Sequence, residues 1–245
     1  LVRSTPLAGQ EQAFNDAYQN QHIGDLIEFD GWIGAQRFRA VSEGQSRSIL
    51  PGSRWGYLIV WDQEGRTPPT VPLGGRNRRI PGYDYATPGA NWQATYRALG
   101  SRRRRPDGKG PTVPAVTERE APRLGRYVRL EFVNPPPGAR AEEFEATLDR
   151  RIDQVLDIPG WLAAQRWELT PTPSPPGRPA RPPTPAARYL ILWEIEGRSA
   201  VEVHQSLLDA VKSGKVEPLA ADPAMAEATY WEPISPYVTT EDVDR

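Results

Sequence analysis

The sequence predicts an α+β fold made of two copies of one unit, and two pairs of matching phrases predict it. "GWIGAQRF" at 31–38 returns as "GWLAAQRW" at 160–167, 129 positions later. "GYLIVWDQEG" at 56–65 returns as "RYLILWEIEG" at 188–197, 132 positions later. Two matches in the same order, separated by a loop of slightly different length, are the mark of a repeated domain. The repeats are placed at 1–122 and 123–245.

The elements follow in chain order. "LVRS" at 1–4 stands where a first strand belongs, as though the given chain opens part-way along it. Phe14, Tyr18, His22 and Leu26 recur every fourth residue, which makes one apolar stripe on a helix. In "GWIGAQRF" a period of two puts Trp32, Gly34, Gln36 and Phe38 on one face and Ile33, Ala35 and Arg37 on the other. "YLIVW" is a short aromatic and β-branched run, as expected of a buried strand. "NWQATYRAL" at 91–99 is expected to be a helix and "TVPAVTERE" at 112–120 a strand. The second copy repeats the order: strand "RYVRLEFV" at 126–133, a helix on Phe144, Leu148, Ile152 and Leu156, two strands in the matched phrases, helix "SAVEVHQSLLDAVKSG" at 199–214, and strand "EATYWEPI". Strand, helix, strand, strand, helix, strand is the split βαβ order of a ferredoxin-like unit.

The connections are long. Many of the 27 prolines fall in "PTPSPPGRPARPPTP" at 171–185, a composition that favours extended, solvated backbone. Loops 42–54 and 66–88 are rich in Gly and Arg. Loops of this length are uncommon in a compact domain, so at least one is expected to cover a pocket.

Composition removes several classes of function. The chain has 245 residues with a formal net charge of -1, so no general field draws nucleic acid or an anionic membrane. The run Arg102 to Arg105, flanked by glycines and proline, reads as a solvated loop. There is no apolar stretch of about 18 residues to span a membrane, and a cytoplasmic location is expected. Absence of cysteine excludes disulfides, thiolate nucleophiles and Cys-ligated metals. With His22 and His204 as the two histidines, a multi-histidine metal site cannot be built. Haem would need one of them as an axial ligand, with no other haem signal present, so no metal or cofactor is expected. No Gly-x-Ser-x-Gly elbow occurs, and "PLGGRNRR" at 72–79 lacks the ending of a phosphate loop.

"FNDAYQNQHIGDLIEFDGWIGAQRF" at 14–38 resembles the EthD-like branch of the dimeric α+β-barrel superfamily. Asn15, Asp16, Tyr18, His22, Gly31, Arg37 and Phe38 match its helix and strand signature, whereas Ala17 and Asp30 replace its usual Trp and Pro. The second copy keeps Pro159, Gly160, Trp161, Arg166 and Trp167 without the helix motif, and His22 faces either Arg151 or Ile152. The resemblance implies that the two ferredoxin-like units pair their sheets into one pseudo-symmetric barrel within a single chain, as monomer or homodimer. It implies one of several chemistries: lyase or decarboxylase, isomerase, cyclase, or cofactor-free monooxygenase.

His22 is the foremost candidate, because imidazole titrates near neutral pH and can take and give a proton. Its alternative is a core histidine tying helix to sheet. Tyr18, one turn away, can share its substrate or proton, or can be an aromatic core residue. Asn15 and Asp16 are supporting candidates for orienting substrate. Arg37 and Arg166 each put a guanidinium in an apolar strand, which demands an acceptor: either a structural partner such as Glu64 or Glu196, or a substrate anion. Trp32, Phe38 and Trp61 would line an apolar cavity suited to an aromatic ligand. The expected function is a cofactor-independent enzyme on a hydrophobic, aromatic small molecule, with His22 as general acid/base. The alternatives are a cofactor-free monooxygenase and a non-catalytic binding barrel.

Overall fold

A computed structural model describes residues 1–41, 50–64, 80–105, 126–170, 186–224 and 226–243. The proline-rich segment 171–185, "TVPAVTERE", "PLGGRNRR" and the expected boundary at 122/123 lie outside the described residues. The elements are β1 Val2–Ser4, α1 Glu11–Ala17, a π-helical turn Tyr18–His22, α2 Ile23–Ile27, β2 Trp32–Ala40, β3 Tyr57–Gln63, β4 Asn91–Gln93 and β5 Thr95–Arg104. Then come β6 Arg126–Val133, α3 Ala141–Leu156, β7 Trp161–Thr170, β8 Tyr189–Glu196, α4 Ala200–Lys212, β9 Glu227–Pro233, β10 Val238–Thr239 and α5 Thr240–Val243.

All ten strands join one sheet in the order β4-β1-β3-β2-β9-β6-β8-β7-β5, with β10 beside β2. Every pairing is antiparallel. β4 and β5 are separated by Ala94 alone, yet they occupy opposite ends of that order. The sheet therefore curls until both of its ends are held by one chain segment, an α+β barrel-type fold.

The matched phrases pair at matched registers. Arg37 faces Ile59 as Arg166 faces Ile191, and Phe38 faces Leu58 as Trp167 faces Leu190. A bulge follows Trp32 in β2 and Trp161 in β7 at the same step. The glycine before each tryptophan makes the turn from helix to strand: Gly31 has φ 87° and Gly160 φ 90°, a region open to glycine at little cost. Each then accepts a hydrogen bond from the end of the next strand, Glu64 N–H to Gly31 O (2.9 Å) and Glu196 N–H to Gly160 O (2.8 Å).

Side chains sort to two faces. On the outer face α3 and α4 bury Phe144, Leu148, Ile152, Leu207 and others against Tyr189, Ile191 and Trp193, and the first helix buries Phe14, Tyr18, Ile23 and Ile27 against Tyr57 and Ile59. The inner face collects Phe38, Leu58, Val60, Leu130, Leu190 and Trp231. The α4 helix is entered through Ser199, whose hydroxyl accepts from the Glu202 N–H (3.1 Å), the usual device for an orphan amide.

Four expectations are corrected. Residues 91–99 form β4 and the start of β5, not a helix, because Trp92, Ala94 and Tyr96 alternate onto the inner face, the period of a strand. The run Arg102–Arg104 is also strand because acidic groups of the second half neutralise it. Arg102 grips buried Glu194 with Nε (2.7 Å) and Nη2, and Arg103 meets Asp149 (3.1 Å) and Asp153 (2.8 Å). The bulge takes Trp32 out of simple alternation, so its ring packs on Trp61, with centroids 5.0 Å apart, and leaves Ile33 exposed. The partners of Arg37 and Arg166 come from the helices, not from Glu64 or Glu196. Arg37 donates to Asn15 O (3.2 Å) and Asn15 Oδ1, and Arg166 pairs with Glu145 (3.4 Å) and Asp149 (3.3 Å).

Candidate functional site

The two outer faces are alike at their tops. Phe14 packs on Tyr57 (5.3 Å between centroids) and Phe144 on Tyr189 (5.8 Å), the two phenylalanines lying 130 positions apart. By the helix ends, Ile23, Leu26 and Ile27 occupy the buried places of Ile152, Val155 and Leu156, a spacing of 129. One extra residue has been absorbed in between, at the π turn Tyr18–His22. A π turn is the way a helix holds a one-residue insertion, and such turns often sit at functional sites. His22 accordingly stands at the place of Arg151.

The surroundings of these two residues differ completely. In the second half Glu131 is bonded by both Nη atoms of Arg129 (2.8 and 2.9 Å) and by Trp193 Nε1 (3.0 Å), with Arg151 at 3.7 Å. Burial alone would raise the Glu131 carboxyl, but the two guanidiniums pull it down to about 2. In the first half Val2 faces Ile59 as Glu131 faces Ile191, so an apolar side chain stands where the anion stood. Trp61, the register match of Trp193, faces a cavity of about 1020 Å³.

His22 lines this cavity, edge-on to Tyr18 (4.9 Å) and to Trp61 (6.0 Å). Among the described residues its ring nitrogens meet no hydrogen-bond partner. Burial pushes its pKa down to about 4, opposed in part by Asp25, so the ring is a neutral imidazole near pH 7. Burial also raises the Tyr18 phenol well above its ordinary value, which leaves it a hydroxyl and not a base. Trp32, Leu26, Ile80, Tyr83 and Tyr85 complete this wall. The stretch Ile80–Gly89, from one of the long loops, thus borders the cavity.

The lining draws on both faces of β3, with Trp61 from the outer face and Val60 and Asp62 from the inner. β1 pairs with β3 from Ser4 and Tyr57 to Val2 and Ile59, and Val60 to Gln63, beyond that pairing, contribute to the lining.

The structure brings Tyr18, His22, Trp32 and Trp61 together on the lining and puts the other candidates elsewhere. Phe38 is fully buried in the inner core. Arg37 is clamped by Asn15 under the rings of Phe14, Tyr18 and Tyr57, 5.3 to 5.8 Å from each. Asn15 also donates to the Tyr57 hydroxyl (3.0 Å). Asp16 accepts from Gln12 on the helix surface (2.8 Å). His204 is fixed by the Tyr230 hydroxyl (2.8 Å) and is pushed down to about 4 by burial and Arg129. Sequence reasoning missed Asp62 and Tyr237, which both line the cavity. Asp62 was visible in the aligned pair "WDQEG" and "WEIEG", but Tyr237 arrives from a remote segment without any local signal.

Among the described residues, no group of three or more His, Asp or Glu is placed to hold a metal ion. No helix among them is long and apolar enough to cross a membrane.

Fold and site together define an α+β barrel with an aromatic cavity on one side. No family model matches the chain, and no curated protein does. Among solved structures it is similar to a crystal structure of an anthrone oxidase-like protein. The TM-score is 0.53 at 11% identity, over 97% of this chain and 90% of that one. At this identity the likeness speaks for the fold.

Proposed function

We propose that the chain is a tandem duplication, residues 1–122 and 123–245, that supplies both halves of an EthD-like barrel and acts as a cofactor-independent enzyme on a hydrophobic, aromatic small molecule. The observation that carries this reading is His22, a neutral imidazole without a hydrogen-bond partner among the described residues, on the aromatic wall of a cavity large enough for a polycyclic ligand. Its depressed pKa makes it a weak base towards water. Against a substrate whose anion is delocalised over aromatic rings, the balance changes. The imidazolium and the anion form together and stabilise each other at short range once the ligand fills the cavity. His22 takes the proton from an acidic carbon or hydroxyl, Tyr18 donates a hydrogen bond to the oxygen that gains charge, and His22 returns the proton at another atom. That sequence serves isomerisation, cyclisation or the protonation that follows decarboxylation.

A second reading, a cofactor-free monooxygenase, is favoured by the name of the similar solved structure, an anthrone oxidase-like protein. In that case the substrate carbanion generated by His22 reacts with dioxygen. Both readings are tested with one panel of aromatic acids, ketones and anthrones, followed with and without oxygen. Turnover without oxygen supports proton transfer, and turnover coupled to oxygen uptake supports the second reading. His22→Ala is expected to lower turnover by about 10²-fold or more with an unchanged melting temperature. A parent protein inert towards the whole panel, with a His22→Ala variant that loses stability, would establish His22 as a packing residue and overturn both.

A further inference from the structure

The inner wall of the cavity holds a carboxyl group that the proton-transfer scheme does not use. Asp62 follows Trp61 on β3, points to the inner face and lines the cavity beside Val60, Tyr96, Trp167 and Leu192. Its register match is Glu194, since Gly34 faces Asp62 as Ala163 faces Glu194. Glu194 is neutralised by the bidentate grip of Arg102. Among the described residues, no guanidinium takes that role at Asp62. Its Oδ2 accepts from the Tyr237 hydroxyl (2.9 Å). Burial accordingly raises the Asp62 carboxyl above its ordinary value.

The sequence of the repeat is altered to admit this pair. A Cβ at Gly34 would collide with the Tyr237 ring and hydroxyl and lie 2.7 Å from the Val238 carbonyl oxygen. The second copy has Ala163 at this place, and no alanine fits under Tyr237. The glycine of "GWIGAQRF" is thus what lets the segment before β10 lay a tyrosine across β2 and reach Asp62. Tyr237 is itself buried, and its phenol is raised by burial and by Asp62, so it remains a donor.

A half-buried carboxyl with one neutral donor keeps acceptor capacity turned to the cavity. A ligand that covers this wall excludes water from that oxygen and must bring a donor of its own. We propose that Asp62, oriented by Tyr237, is the polar anchor of the cavity and binds the hydroxyl of a phenolic ring whose hydrocarbon part lies among Val60, Tyr96, Trp167 and Leu192. This deepens the reading of the preceding subsection and rests on its aromatic cavity. It assigns the substrate a phenol-type hydroxyl held by the inner wall, while His22 works at the outer one.

The test is calorimetric titration of the whole chain with 2-naphthol and with 2-fluoronaphthalene, the same ring system without a donor. The parent is expected to prefer 2-naphthol by about tenfold, the worth of one good hydrogen bond to a charged acceptor. Asp62→Leu should bring that ratio to about one and leave 2-fluoronaphthalene binding unchanged. Tyr237→Phe, which keeps the ring over Gly34, should lower the ratio by about threefold. If Asp62→Leu fails to fold, judged by circular dichroism, Asp62→Asn takes its place, with the preference falling towards that for a neutral acceptor. Equal binding of the two compounds by the parent, or an unchanged ratio in the Asp62 variant, overturns the anchor while the aromatic cavity stands. Binding of neither compound overturns the anchor and the cavity reading together.

Discussion

The outer face of the second half and the outer face of the first half are built on one register and finished in opposite ways. Around Trp193 the space is filled by charge, with Arg129, Glu131 and Arg151 locked together. Around Trp61, Val2 stands at the place of Glu131 and His22 at that of Arg151, and both line a cavity. The lesson is that the arginines in the strands, Arg37 and Arg166, belong to what the halves share, because each clamps the first turns of its own helix. Chemistry is to be sought where the halves differ: an ion cluster replaced by an imidazole, an Arg102–Glu194 pair replaced by Tyr237–Asp62, and a helix stretched by one residue.

Removing the anion from the filled face should have the largest effect. Glu131→Leu leaves Arg129 and Arg151 buried without a carboxylate and is expected to cost about 3–5 kcal/mol in urea unfolding. His22→Leu at the empty face should cost under about 1 kcal/mol, because a neutral ring with no hydrogen-bond partner among the described residues is exchanged for an apolar one. Equal losses would break the comparison. Deletion of Asn20 is next. It turns the π turn into plain α-helix and shifts Tyr18 against His22, so turnover should fall about 10²-fold with the far-ultraviolet spectrum retained. Unaltered turnover would divorce the extra residue from the site.

Trp193→Phe removes a hydrogen bond to a charged carboxylate and should cost about 1.5–3 kcal/mol. Trp61→Phe should cost less and weaken aromatic ligands instead, as melting curves with and without 2-naphthol would show. The smallest effect concerns pH. His22 and His204 bind protons at about 4 in the folded chain against an ordinary 6.5, so between those values the unfolded chain holds more protons. Stability therefore falls as pH drops from about 6.5 towards 4, and is insensitive to these two groups above that window. His22→Leu should flatten part of the slope in urea midpoints taken at pH 7, 6 and 5. An unchanged slope would mean that His22 is not desolvated.

Much of this architecture was legible because repetition supplies its own alignment. The paired phrases at their two displacements gave β2, β3, β7 and β8 their register, and the fourfold spacing of Phe144, Leu148 and Ile152 gave α3. What escaped was decided by contacts between the halves. Residues 91–99 carry a pattern short enough for helix or strand, and the choice falls to β1 and β7, which flank them. The bulge after Trp32 changes a face without changing a letter. At the site, Tyr18, His22, Trp32 and Trp61 could be read from one helix and two phrases. Tyr237 could not, because it reaches Asp62 across 175 positions of chain. Arg37, a guanidinium in an apolar strand, and Phe38, one of an aromatic set, read as ligand-binding candidates, and only tertiary packing shows Asn15 and the inner core claiming them.

The strand interrupted at Ala94 also constrains the order of events during synthesis. β4 closes onto β1 near the start of the chain, whereas β5 needs β7, whose last residue is Thr170. Until that residue has left the ribosome, neither edge of β5 is paired, and such edges recruit other chains. The charged run Arg102–Arg104 lies on that waiting edge. Positive charge on an open strand repels a second copy of itself, so the arginines that later bind Glu194, Asp149 and Asp153 guard the nascent half until its partner arrives.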